Sequence, residues 1–150
     1  MYQPGIVYER TPEEYRDPFL AWKREDRAFF AAGACHILAH MFLELHTGEG
    51  YKLIHIKPRG EQPGHHMYAS NGVWVFDFNG WTREEELLEV YGAAYRQKHP
   101  GWEYERIVVE EGLPSYALKN NHRPPEYFPY LPWERAYTYI KRFPAEPPSE

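Results

Sequence analysis

The chain has one cysteine, Cys35, among its 150 residues. That excludes an internal disulfide and a cysteine-rich zinc site, since each needs at least two thiolates. No long basic run is present and the formal net charge is −5. This composition argues against a nucleic-acid partner held by phosphate neutralisation. No apolar stretch approaches the ~18 residues that a membrane span requires. The opening residues, MYQPGIVYERTPEEY, lack the basic-then-apolar order of a secretory signal. Together these absences lead to the expectation of a soluble, cytoplasmic protein with neither a nucleic-acid nor a membrane partner.

Aromatic residues are abundant, at 17% of the chain, with 13 Tyr, 8 Phe and 5 Trp. Large amphipathic rings fill cores and also line concave sites. The hydrophobic share of 43% supports a core of ordinary size. The length fits one domain, read as residues 1–143, with 144–150 as a disordered tail.

Taken in order, Thr11-Pro12-Glu13-Glu14 is a capping box with Pro at the first helical position, and Asp17-Pro18 offers a second start. Residues 12–30 read as one or two short helices or turns. A central helix begins near Gly33 to Cys35 and ends at His46, with Leu38, Met41, Phe42 and Leu45 at helical spacing. Cys35 lies on the same stripe one turn earlier. Tyr51–Lys57 alternates and reads as a strand. His66–Ser70 and Val73–Phe78 flank Asn71-Gly72, a strong hairpin signal. Thr82 to Glu85 reads as a capping box for a helix over 83–99. Trp102–Glu110 reads as a strand, 112–132 as a long ordered loop, and Trp133–Phe143 as a final strand. The expectation is an α+β fold: N-terminal helices, with the Cys-bearing helix packed on one side of a mostly antiparallel sheet, and one inserted helix.

Cys35, His66 and Asp77 then form a constellation with a chemical meaning. A free thiol has a pKa of ~8.5 and is mostly protonated at neutral pH. A helix N-terminus and a neighbouring imidazole both favour the thiolate. His66 fits the imidazole role better than His65, because it begins the alternation His66, Tyr68, Ser70. A two-residue turn at Asn71-Gly72 pairs Ser70 with Val73, Tyr68 with Val75 and His66 with Asp77. Directly opposed residues share a face, with Cβ atoms ~5 Å apart. The register therefore sets the base beside a carboxylate that can orient it. The Cys35 backbone N–H is one oxyanion donor. Candidates for the second are the backbone near Gly33 and the side chains of Gln3, Trp22 and Asn79.

The segments ACHILA around Cys35, HMYA from His66 and VWVFDFNGW around Asp77 resemble the papain-like and transglutaminase-like cysteine-enzyme superfamily. The resemblance spans residues 30–90. It implies a Cys at a helix start, packed on an antiparallel sheet that carries His and Asp on neighbouring strands. A papain-type Gln upstream of the Cys is absent, with Phe29 near that place, and the usual Gly-x-x-Trp surround is missing. The implied chemistry is acyl transfer without a metal or other cofactor. Cys35 is the nucleophile, His66 the base and Asp77 the orienter, acting on a peptide, amide or small acyl substrate. His65, Trp22, Tyr68, Asn79 and Trp81 are candidate groove residues. The rival is a non-catalytic binding domain of the same fold with a core cysteine. A third reading is a small metalloprotein built on the row His36, His40 and Glu44.

Overall fold

The computed structural model describes residues 22–31, 34–110 and 132–148. The early helix starts at Thr11 and Asp17, and the loop expected over 112–132 up to residue 131, lie outside the described residues. The described elements run α1 (Asp26–Ala31), α2 (Cys35–Leu45), β1 (Lys52–Pro58), β2 (His66–Ser70), β3 (Trp74–Asp77), β4 (Gly80–Arg83), α3 (Glu84–Lys98), β5 (Tyr104–Val109) and α4 (Pro132–Ile140). The five strands form one antiparallel sheet in the order β4-β3-β2-β1-β5. This is the expected α+β class.

The sheet is covered on both faces, not on one. Alternate residues of a strand point to opposite sides. Leu53 of β1, Met67 of β2 and Val109 of β5 pack with Cys35 and Ala39 of α2. Tyr68, the neighbour of Met67, instead donates a 2.7 Å hydrogen bond to Glu84 at the start of α3. All five residues of β2 are buried, as a strand between two helical layers requires. The inserted helix covers the second face with Leu87, Tyr91 and Tyr95, which recur at helical spacing and are buried.

Three local expectations are corrected. Residues 132–140 form helix α4 rather than a strand; Pro132, Ala136, Tyr139 and Ile140 fall on its buried face. A period near 3.6 thus prevails over the β-prone Tyr and Trp residues. Thr82 does not cap α3. It lies in β4, a strand the sequence reading missed, and its hydroxyl accepts from Asn79 Nδ2 at 3.3 Å. Arg83 occupies the cap position, and its side chain makes no capping hydrogen bond to the helix. Glu84, Glu85 and Glu86 suit the positive end of the helix dipole there.

The third correction concerns the β2–β3 register. Ser70 pairs with Val75 and Ala69 with Phe76, two residues away from the register of a two-residue turn. Asn71 causes the difference. Its Oδ1 accepts from the backbone N–H groups of Val73 and Trp74, and its own N–H donates to the Trp74 carbonyl at 3.1 Å. Four residues, Asn71 to Trp74, therefore separate the paired Ser70 and Val75, in place of two. A shift of two preserves which face each side chain takes, so His66 and Asp77 stay on one side.

Arg135 of α4 ties that helix to the N-terminal side of the fold. It donates to Asp26 Oδ1 at 2.7 Å and to the carbonyl of Trp22 at 2.6 Å. Among the described residues no helix is long and apolar enough to cross a membrane.

Candidate active site

Cys35 is the first residue of α2, His66 the first of β2 and Asp77 the last of β3. Because β2 and β3 are antiparallel, His66 and Asp77 occupy the same end of the sheet. His66 Nε2 donates to Asp77 Oδ2 at 2.9 Å, with both side chains buried. Asp77 uses its other oxygen locally: Oδ1 accepts from the Asn79 backbone N–H at 2.9 Å. That bond closes the two-residue turn between β3 and β4, where Asp77 pairs with Gly80. The carboxylate is thus oriented by the turn on one side and orients the imidazole on the other.

The second imidazole nitrogen, His66 Nδ1, is buried, and among the described residues no side chain meets it at full hydrogen-bonding geometry. It is the nitrogen left for the thiol. Burial raises the Cys35 thiol, but hydrogen bonding and charge from His36 and His66 outweigh it and bring the thiol down to about 5. Burial lowers His66, but Asp77 and Cys35 outweigh it and push the imidazole up to about 9. Between those values the stable form of the pair is thiolate and imidazolium. The backbone N–H of Cys35, at the first helical position, has no intrahelical acceptor, and the cap residue Ala34 supplies no side-chain hydrogen bond.

Adjacent histidines meet different ends. His65 is exposed and shares a 2.9 Å hydrogen bond with buried His55, the two rings stacked with centroids 5.1 Å apart. His65 therefore belongs to the opposite face of β2 from His66, as alternation requires.

The candidate groove residues divide. Tyr68 is fully buried with its hydroxyl committed to Glu84, so it belongs to the core rather than to a groove wall. Trp22 packs edge-on against Phe29, beneath the Arg135 guanidinium. Asn79 accepts from Arg27 at 2.6 Å. Trp81 packs on Phe42, two turns along α2 from Cys35, and its indole N–H donates to the Pro144 carbonyl. Gln3 and Gly33 lie outside the described residues.

His36 is buried beside the thiol rather than on a solvated row. Its direct succession to Cys35 in the sequence was the only available signal. His40 instead approaches Glu44 at 3.4 Å. Among the described residues no group of three or more His, Cys, Asp or Glu side chains is arranged to hold one metal ion. Comparison of the chain with protein-family models, with curated proteins and with solved structures finds no match.

Proposed function

We propose that this chain is a thiol-dependent acyl-transfer enzyme of papain-like or transglutaminase-like type, acting on a peptide, amide or small acyl substrate. The supporting observation is the buried His66–Asp77 hydrogen bond, with Cys35 drawn down and His66 drawn up in pKa. The Cys35 thiolate attacks the substrate carbonyl carbon, and the carbonyl π electrons move onto oxygen. The Cys35 backbone N–H donates to that oxyanion. His66 passes its Nδ1 proton to the leaving atom as the carbon–heteroatom bond breaks, which leaves a thioester on Cys35. Water or an amine then attacks the thioester, its proton returns to His66, and the sulfur leaves as thiolate. Asp77 holds the imidazole and stabilises its charged form.

A second reading has its own observation. Cys35 is 7% exposed, His66 1% and Asp77 2%, so the three could be a packed core within a binding domain.

The rate of Cys35 alkylation against pH separates the two, because no other thiol is present. The enzyme reading expects a midpoint near 5, and a shift to the ordinary thiol range of about 8.5 or above in His66→Ala. An inert thiol, or a midpoint in the ordinary range that ignores the substitution, favours the binding domain.

A further inference from the structure

His66 is gripped by a residue outside the Cys-His-Asp set. Tyr91 of α3 lies against it with ring centroids 5.4 Å apart and planes 18° from parallel. Tyr91 is 3% exposed, and its hydroxyl donates to the Gly64 carbonyl at 2.8 Å, two residues before His66. A side chain at Gly64 would be strained and tightly placed. The Gly64 φ is +110°, and a Cβ there would meet Tyr95 at 3.0 Å and the Trp102 ring at 3.2 Å. One side chain thus holds both the imidazole plane and the backbone that leads into it.

We infer that Tyr91 is a positioning residue of the thiol site: its ring face fixes the plane of His66 and stabilises the protonated imidazole. The inference rests on the functional reading above. A cation within about 6 Å of a tyrosine ring centre is attracted by the negative ring face, most strongly where water is excluded. The phenol stays neutral, because burial, Tyr95, and the Cys35 and Asp77 charges all hold its pKa well above the ordinary value. Other titratable groups around the imidazole are Cys35 from α2, Asp77 from β3 and Tyr68 on its own strand. His55 of β1 and His36 of α2 stand behind them, within electrostatic reach of one another.

With the plane fixed and Nε2 bound to Asp77, Nδ1 has one direction available. Loss of the stack frees the ring to rotate and removes the favourable face from the imidazolium. Loss of the hydroxyl alone removes the tether to Gly64 and the hydrogen bond with Tyr95, and keeps the ring face against His66.

The test is the pH midpoint of Cys35 alkylation in four proteins: wild type, Tyr91→Phe, Tyr91→Leu, and the chain with pentafluorophenylalanine at position 91. The last keeps the ring shape and reverses its electrostatics, so it reports even where Tyr91→Leu does not fold. Tyr91→Phe is expected to stay near wild type. Tyr91→Leu and the fluorinated ring are expected to raise the midpoint by about one unit, a tenfold loss of thiolate on the acid side. A wild-type midpoint near 5 that the fluorinated ring leaves in place overturns the role of Tyr91 while the thiol reading stands. A wild-type midpoint in the ordinary thiol range overturns both.

Discussion

Two histidine pairs sit back to back across β2, and their chemistry diverges. His66 pairs with a carboxylate and His55 with another imidazole, each at 2.9 Å. Both histidines are almost completely buried, at 1% and 0% exposure. Burial disfavours the charged ring in both places. Against Asp77 and Cys35 that penalty is overcome, and His66 rises to about 9. Against His65, Lys57 and the other nearby histidines it is reinforced, and His55 falls to about 3. The partner, not the depth, decides whether a buried histidine is a cation.

The sharpest way to break this contrast is to neutralise the partner. Asp77→Asn keeps an oxygen for the Asn79 N–H but removes the charge from His66. Burial then dominates, and His66 should drop below the ordinary histidine range. The midpoint of Cys35 alkylation is expected to rise by about 1–3 units, the usual effect of losing one close opposite charge. Chemical denaturation at neutral pH should show a loss of about 3 kcal/mol, typical of a broken buried pair. An unchanged midpoint would mean that Asp77 serves the turn alone.

The second pair is tested by acid. Unfolded His55 takes up a proton below about 6.5, whereas the folded residue resists until about 3. Acid therefore favours unfolding throughout that window. Between pH 6.5 and pH 5, His55 should cost about 2 kcal/mol of stability, from 1.36 kcal/mol per unit. His65, lowered chiefly by burial, acts in the same direction. Denaturation curves at the two pH values should show this loss in wild type and a flatter dependence in His55→Gln. The smallest effect is expected for His65→Ala, whose exposed ring is hydrogen-bonded to His55. Its alkylation midpoint should move by no more than a few tenths of a unit, and a larger shift would join the two pairs into one network.

The sequence carried the pairing of His66 with Asp77 because strand alternation has a period of two. Asn71 lengthened the hairpin loop by two residues, and an even shift leaves the faces intact. An odd shift would have separated the pair. The helical character of 132–140 was harder to read, since Tyr and Trp are at home in strands. Strand β4 is only four residues long and follows a tight turn that looked like an end. The position of α3 on the second face depends on Tyr68 reaching Glu84, a contact with no local signature. The same holds for Tyr91, which in sequence is one more apolar residue on an amphipathic helix.

The carboxylate of Asp77 spends one oxygen on the β3–β4 turn and the other on His66. Residues 78 and 79 are therefore not an interchangeable connector. A turn lengthened by one residue would move the Asn79 N–H away and let the carboxylate swing, detuning the imidazole with no change to any of the three reacting side chains. Anyone grafting this constellation onto another scaffold would have to transplant that hairpin bend with it, as part of the same functional cassette.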